Sequence, residues 1–216
     1  MPVPDQPFCF PISCGLVEKP GVFGIGTGFL ARNAAGTVHL ITTAHTATKD
    51  NDFRFLERWP NILSVVIDGG CDFPLFRAKE DAREPRFRPF YSKEVMGDVL
   101  ALPIENALPA PLADFHVFDL MAPEVFPATG FEVTSYGFPH IREHWPYWPP
   151  NEMRGKYLMK QPNPGSHLAW IGIVEGHSGG PVLDQNGSLL GMGLGQIAEG
   201  EPDIIMPPNI ILFAAR

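Results

Sequence analysis

Apolar residues occur along the chain in short runs, and turns rich in glycine, proline, asparagine and aspartate separate these runs. No long segment shows the 3.6-residue period of an amphipathic helix, so the pattern indicates β-strands. At Asn186-Gly187 both residues tolerate a positive φ, which predicts a hairpin turn. The predicted strands lie within residues 22–31, 38–44, 61–69, 73–79, 98–104, 131–139, 157–161, 167–173, 181–194 and 203–216.

A stretch rich in proline and alanine, residues 105–130, lies between the two groups of predicted strands. Such a composition is typical of a connection between structural units. We therefore predict an all-β chain of two barrel-like halves, residues 1–112 and residues 113–216. The chain has 216 residues, 44% of them hydrophobic, which is enough for a packed core.

The formal net charge of −8 argues against nucleic acid as a partner, because phosphate binding needs a basic surface. One segment, residues 83–91, interleaves arginines with aromatic residues, but prolines interrupt it and Glu84 dilutes its charge. We interpret this segment as a solvated loop. The first residues have neither the basic nor the apolar region of a signal peptide, and no apolar run reaches the ~20 residues of a membrane span. A cytoplasmic protein without a membrane partner is expected.

The number and spacing of the cysteines argue against two kinds of structural site. The three cysteines, Cys9, Cys14 and Cys71, are an odd number and include no CxxC pair. A disulfide framework or a cysteine-rich zinc site is therefore not expected.

The segment GHSGGP, residues 176–181, places a serine among glycines. A serine hydroxyl is a weak nucleophile that needs a neighbouring base, and the oxyanion formed by its attack needs hydrogen-bond donors. The backbone N–H groups of Gly176 and Ser178 could converge on such an oxyanion, since glycine allows a close backbone approach. A glycine-rich turn with an incidental serine is the simpler alternative.

Two further residues have the chemistry that Ser178 would need. His45 ends an apolar run, and the pKa of a histidine suits a general base near neutral pH. Asp98 begins another apolar run, and its carboxylate could orient a histidine. Taken singly, each is more often a structural residue. Together they give the order His, Asp, Ser along the chain, which is the order of the chymotrypsin arrangement.

Three segments, GTGFLARNAAGTVHLITTAHT, GDVLALPI and GHSGGPVLDQNGSLLGMG, resemble the signature segments of trypsin-like serine peptidases of the chymotrypsin fold. Short turns, the lack of a disulfide framework, VTSYGFP at residues 133–139 and the closing PPNIILFAA are more similar to the HtrA/Deg-type branch. The resemblance extends over residues 20–215. It implies two six-stranded antiparallel β-barrels with the active site in the cleft between them.

The resemblance implies a serine endopeptidase that acts on proteins or peptides and needs no metal or cofactor. In this interpretation Ser178 attacks the acyl carbon, His45 transfers the proton and Asp98 orients His45. The N–H groups of Gly176 and Ser178 form the oxyanion hole.

The resemblance also implies which residues form the primary specificity pocket. Gly172, six residues before Ser178, would lie at its base, flanked by Ile173, while Gly193 and Leu194 belong to its walls. Because no charge is present at Gly172, a small or apolar residue before the cleaved bond is expected.

His177 departs from the pattern of members that are activated from zymogens, which have an aspartate at this position to receive a newly cut N-terminus. A histidine cannot do this, so activation by that route is not expected. The side chain of His177 should point away from Ser178, because neighbours on a tight turn diverge.

The aromatic, proline-rich loop 142–153 would lie on the leaving-group side of the cleft. Its Trp145–Trp148 part is a candidate contact for partner proteins, although a loop that packs its own rings fits equally well. His140, Glu143 and His144 could in principle bind zinc, but they do not form HExxH and no metal is predicted.

Two other functions compete with an active endopeptidase. A proteolytically silent or conditionally active domain could use the same fold to bind proteins. An esterase with the same three residues is less favoured, because the serine lacks the strand-to-helix setting of that class.

Overall fold

In the computed structural model of the protein, most of the ordered elements are β-strands. The structure describes residues 5–17, 19–48, 55–78, 83–89, 98–124, 127–140, 145–146, 148–162, 165–196 and 198–216. No helix within these ranges combines the length and the apolar character needed to cross a membrane.

The N-terminal half is a strongly curled sheet of seven strands. Across the sheet, neighbouring strands are the fifth, fourth, first, second, third and eighth of the chain. The ninth strand pairs in parallel with the second. Two further short strands pair with each other. The strands are β1 (Phe10–Gly15), β2 (Phe23–Arg32), β3 (Val38–Thr42), β4 (Ile62–Val65), β5 (Cys71–Pro74), β6 (Phe76–Ala78), β7 (Arg83–Pro85), β8 (Leu100–Pro103) and β9 (Val117–Asp119).

The C-terminal half is a closed antiparallel barrel of six strands, in the order β10-β11-β12-β15-β14-β13. Register shifts interrupt three of its strand pairs, including β14 and β15 near residues 193–195. The strands are β10 (Glu132–Gly137), β11 (Asn151–Lys160), β12 (His167–Trp170), β13 (Pro181–Asp184), β14 (Leu189–Gln196) and β15 (Asp203–Met206).

The predicted all-β class with two barrel-like halves is confirmed, with one difference in detail. Among the described residues the N-terminal strands form an open, curled sheet, whereas the C-terminal strands close completely. Strand β9 follows the predicted boundary after residue 112 but pairs with β2 of the first sheet. The position of that boundary stays a prediction.

Alternate glycines in β2 make room for the site. The strand reads FGIGTGFLAR, and Gly24, Gly26 and Gly28 lie on one face of it because side chains alternate in a strand. A Cβ on Gly24 would collide with the backbone oxygen of Thr46, and one on Gly26 would lie 2.5 Å from Thr46 Oγ1 and 3.0 Å from the carbonyl oxygen of Ser178. The turn after β3 and the segment around Ser178 can therefore approach this strand closely.

A short C-terminal helix packs between the two halves. The predicted strand at residues 203–216 is partly wrong, because β15 is followed by the helix α1 (Pro208–Ala214). Pro208 begins the helix, a position where a missing N–H costs nothing. The buried Ile211 belongs to an apolar cluster with Ile41 of the first sheet and Met192 of the barrel. This cluster joins the halves.

The arginines of the segment 83–91 that are described make structural contacts. The guanidinium of Arg83 lies 3.9 Å from the centre of the Phe76 ring and donates to the backbone oxygen of Trp59 at 2.8 Å. Arg88 lies over the ring of Phe213. These side chains join the segment, whose first residues form β7, to β6, to the residues before β4 and to the helix α1.

All three cysteines are free thiols. Cys9 and Cys14 are buried, and burial raises the pKa of the Cys14 thiol to about 12. Both thiols therefore stay protonated at neutral pH and behave as small apolar side chains.

Candidate active site

His45 and Asp98 meet at one edge of the first sheet. His45 lies in a single 3-10 turn, Ala44–Thr46, directly after β3, and Asp98 lies just before β8. Since β3 and β8 are antiparallel, the end of one strand and the start of the other are neighbours, with Thr42 opposite Leu100. The sheet itself thus brings together two residues that are far apart in the sequence.

The Asp98 carboxylate binds His45 through both of its oxygens. Oδ2 lies 2.6 Å from His45 Nδ1, and Oδ1 accepts the backbone N–H of His45 at 2.9 Å. Because an ionised carboxylate only accepts hydrogen bonds, Nδ1 carries the proton and Nε2 is left with a free lone pair. The Asp98 side chain is 8% exposed and that of His45 is 31% exposed, so the imidazole borders solvent.

The turn that carries Ser178 packs against β2 and against the residues just before His45. The Ser178 carbonyl accepts the N–H of Thr27 at 2.8 Å, and a Cβ on Gly179 would lie 2.6 Å from Thr42 Oγ1 and 3.1 Å from the N–H nitrogen of Thr43. Gly179 also adopts a φ of 90°, which disfavours any side chain there. The second half therefore places its serine beside the His45 turn of the first half.

The Ser178 hydroxyl points to a backbone acceptor in this conformation. Oγ donates to the Leu194 carbonyl at 3.1 Å and makes no hydrogen bond to His45. Leu194 lies at the register shift between β14 and β15, where the strand pairing is interrupted. The hydroxyl would have to leave this acceptor before it could donate to an imidazole.

The turn before Ser178 orients the peptide that ends in Gly176. The N–H of His177 donates to the Val174 carbonyl at 3.0 Å and closes the turn, in which Gly176 has a φ of 92°. The Glu175 carbonyl accepts the N–H of His140 at 3.0 Å. In a trans peptide the C=O and the following N–H point in opposite directions, so the Gly176 N–H points away from His140.

The N–H groups of Gly176 and Ser178 find no protein acceptor within the described parts of the chain. The Gly176 carbonyl, in contrast, accepts the Thr27 hydroxyl at 2.7 Å, and this hydroxyl also accepts the Phe138 N–H at 3.1 Å. Two unpaired donors on one glycine-rich turn can bind a developing oxyanion.

The chain resembles solved protease structures over nearly its whole length. It aligns with the active form of the Rv3671c protease from M. tuberculosis at a TM-score of 0.58 and 17% identity, covering 97% of this chain and 79% of that one. It aligns with the MamO protease domain from Magnetospirillum magneticum at a TM-score of 0.57 and 16% identity, covering 96% and 95%.

A third similar structure is the HtrA-type protease AlgW with a tripeptide, at a TM-score of 0.57 and 12% identity, covering 96% of this chain and 58% of that one. The chain has the trypsin-like serine protease fold. No model of a protein family matches the sequence, and no curated protein matches it either.

The four residues predicted to bind substrate surround one region of this trypsin-like fold. A Cβ on Gly193 would lie 2.8 Å from Ile173 Cδ1, and one on Gly195 would lie 3.7 Å from Ile173 Cγ2. The Ile173 side chain thus fills the space beside both glycines. Gly172 is exposed, with a φ of 79°, and Leu194 supplies the carbonyl that accepts the Ser178 hydroxyl.

Asp203 is a buried carboxylate behind this region that the sequence prediction missed. Oδ2 accepts the N–H groups of Ile171 at 3.0 Å and Gly172 at 2.7 Å, and Oδ1 accepts that of Ile173 at 3.0 Å. Its side chain has no exposed surface. The available signal was an aspartate that begins an apolar run, which is the same pattern that identified Asp98.

His177 is fully buried beside the candidate oxyanion turn. A Cβ on Gly137 would lie 2.8 Å from His177 Cγ, so the ring lies against β10. Neither ring nitrogen has a partner within the described residues, and burial lowers the pKa of His177 to about 4. The imidazole is therefore neutral at pH 7.

The aromatic loop packs partly on the barrel. The Trp145 indole N–H donates to the Phe138 carbonyl at 3.0 Å, and the Trp148 ring lies 4.9 Å from that of Phe138, although 41% of Trp148 is exposed. That partner proteins bind to this loop stays a prediction. Of the three residues considered for zinc, Glu143 and His144 lie outside the described residues.

Proposed function

We propose that the protein is a serine endopeptidase that uses Ser178, His45 and Asp98. The observation that carries this proposal is the two-point hydrogen bonding of Asp98 to His45, next to a serine turn with two unpaired N–H donors. The trypsin-like fold supports it, since similar structures are named as proteases.

In the first step Ser178 Oγ attacks the carbonyl carbon of a peptide bond while His45 Nε2 accepts the hydroxyl proton. Asp98 stabilises the resulting imidazolium without taking its proton. The negative charge moves to the substrate oxygen, where the N–H groups of Gly176 and Ser178 bind it. The C–N bond then breaks, and His45 returns the proton to the leaving amine. Attack by water on the acyl-enzyme repeats the sequence and releases Ser178.

A small or apolar residue before the cleaved bond fits the region around Ile173. That side chain already occupies the space next to Gly193 and Gly195. The nearby negative charge of Asp203 is fully hydrogen-bonded to three backbone N–H groups and buried, so it offers no free oxygen to a lysine or arginine of the substrate.

A peptide-library digestion tests this proposal. The wild-type protein should cleave after small or apolar residues, and Ser178→Ala should lose this cleavage. Ser188→Ala, which changes an exposed serine of the β13–β14 turn, is the matched control and should cleave as the wild type does. Cleavage that survives Ser178→Ala would contradict the assigned nucleophile, and cleavage after lysine or arginine would contradict the pocket assignment.

A conditionally active domain is the second candidate, and one observation favours it. The Ser178 hydroxyl is bound to the Leu194 carbonyl and not to His45. Catalytic hydrogen bonds often tighten only when substrate binds, so in this candidate a bound peptide moves the hydroxyl from the Leu194 carbonyl to His45. A lag before full activity that disappears after preincubation with a non-cleavable peptide would favour the conditional form.

A further inference from the structure

A cavity of about 700 Å³ opens between the two halves, beside the candidate oxyanion turn. The first sheet contributes Phe23, Ile25 and Val66 to its walls. The second half contributes His140, Trp145 and Glu175. The cavity is thus built from both halves and depends on the native fold.

Most of this wall is apolar and accessible. Phe23 is 63% exposed and its neighbour Val22 is 46% exposed, which is high for side chains of this type. The indole N–H of Trp145 donates to the Phe138 carbonyl. The ring can therefore present an apolar surface to a ligand without leaving its N–H group unpaired. Exposed apolar side chains around one concave site mark a binding surface.

The cavity adjoins the candidate oxyanion hole through Glu175. This residue lines the cavity, and the peptide bond that follows it carries the N–H of Gly176. The N–H of His140, also in the wall, donates to the Glu175 carbonyl and so fixes this peptide. A substrate whose carbonyl oxygen is bound at the Gly176 N–H would therefore extend past Glu175 toward the cavity on one side of the cleaved bond.

The residues around Ile173 that are predicted to bind substrate are not part of this cavity. Ile173 fills the space beside Gly193 and Gly195, and Asp203 holds the backbone of this segment through three hydrogen bonds. Only a small side chain fits such a region. The acyl part of a substrate would therefore occupy the Ile173 side, and the leaving part would occupy the cavity.

We propose that this cavity binds a bulky apolar side chain located just after the cleaved bond, and that this contact is the main determinant of the cleavage site. The inference rests on the proposed function and names the substrate class: chains with a small residue before the bond and a bulky apolar residue soon after it. Glu175, an acidic residue of the cavity wall, makes an acidic substrate residue there unfavourable.

Two matched peptides test this inference, with alanine before the bond and either phenylalanine or glycine after it. The wild type should cleave the phenylalanine peptide with a kcat/KM on the order of 10- to 100-fold higher. Phe23→Ala should remove most of this preference without unfolding the protein, because the ring is mainly exposed. Phe131→Ala, which changes another exposed ring on the second half, is the control and should keep the preference.

The rate of labelling by a fluorophosphonate separates binding in the cavity from general damage. The cleavage rate of each variant is divided by its labelling rate, so that any damage at Ser178 cancels from the comparison of Phe23→Ala with Phe131→Ala. Equal cleavage of the two peptides by the wild type would overturn the inference, as would a phenylalanine preference that Phe23→Ala keeps in full.

Binding of the two peptides to Ser178→Ala tests the cavity even if the wild type is inactive. This variant should bind the phenylalanine peptide more tightly than the glycine peptide, and the difference should vanish in the double variant with Phe23→Ala. A wild type that is neither labelled nor active, together with this binding pattern, would contradict the proposed function alone. The absence of any difference in binding would contradict the cavity.

Discussion

At the scale of single residues, Asp98 makes two hydrogen bonds to His45, one to the ring and one to the backbone. Asp98→Asn keeps the size of the side chain but removes its charge, and the amide can stabilise the wrong tautomer of the imidazole. We expect kcat to fall by about 10⁴-fold, with little change in the free energy of unfolding. Steady-state peptide cleavage and urea unfolding measure the two effects.

Asp72→Asn is the control for this charge change. Asp72 is exposed and accepts the Ser64 hydroxyl far from the site, so this variant should keep the wild-type kcat. If Asp98→Asn were as active as Asp72→Asn, Asp98 would have no part in orienting His45.

His177 predicts a pH dependence of stability. Its pKa is about 6.5 in the unfolded chain and about 4 when buried. Between these values the unfolded chain binds more protons, so the free energy of unfolding should fall as the pH falls from 6.5 to 4 and change little above 6.5. The loss is roughly 3 kcal/mol over this range.

His177→Leu tests the assignment because it removes this titration. Urea unfolding at several pH values should show a shallower slope for the variant, although His167, whose pKa burial also lowers to about 4, keeps part of it. An unchanged slope in His177→Leu would show that the buried imidazole does not couple folding to protons.

Candidate site residues could be identified from the sequence where several of them occur in a recognisable order. His45, Asp98 and Ser178 were recognisable from their order and local patterns, and the structure places them at neighbouring turns, while their catalytic roles stay predictions. Asp203 was missed because its partners are backbone N–H groups of residues 171–173, and a backbone partner leaves no pattern in the side-chain sequence.

At the scale of elements, Asp203 of β15 anchors the segment that precedes the Ser178 turn. Asp203→Asn should lower the free energy of unfolding by about 2–3 kcal/mol, because three backbone N–H groups, two of them buried, lose a charged acceptor. It should also lower kcat/KM by about 10-fold, since the pocket around Ile173 loses its fixed position. Urea unfolding and peptide cleavage measure these effects separately.

Asp184→Asn is the matched control, because Asp184 accepts the backbone N–H groups of Asn186 and Ser188 in the β13–β14 turn. It should lose stability in the same way but keep the wild-type kcat/KM. A similar loss of kcat/KM in both variants would mean that Asp203 acts only through overall stability.

The elements that the sequence prediction missed have identifiable causes. Strand β1, FPISCG, contains Pro11 in its interior, which normally argues against a strand between two neighbours. The helix α1 is a single short element that begins at the second of two prolines, and so few apolar residues do not distinguish a helix from a strand. The alternate glycines of β2 can be seen in the sequence. Their structural role cannot, because it depends on the close approach of Thr46 and Ser178 to this strand.

At the scale of the whole molecule, the proposed site works only if the two halves stay together, because His45 and Asp98 lie in the first and Ser178 in the second. Ile211 of α1 is fully buried in the cluster that joins them. Ile211→Ala should lower the free energy of unfolding by about 2–4 kcal/mol and reduce peptide cleavage. Thermal unfolding and cleavage assays at the same temperature measure both.

Phe213→Ala, on the exposed side of the same helix, is the control and should change either quantity only slightly. If Ile211→Ala lowered stability without any effect on cleavage, the joint between the halves would not position the site.

The overall architecture could be predicted because strand spacing and the proline-rich connection are local signals. The open form of the first sheet, the parallel pairing of β9 with β2 and the helix between the halves could not, since each depends on contacts between segments that are distant in the sequence.

Covalent labelling tests most directly whether Ser178 is an activated nucleophile. The wild-type protein is treated with a fluorophosphonate, and the modified residue is identified by tandem mass spectrometry of the digested protein. We expect one adduct, on Ser178, that is absent from Ser178→Ala and strongly reduced in His45→Ala. An unlabelled wild type, or an adduct on another residue that persists in Ser178→Ala, would contradict this expectation.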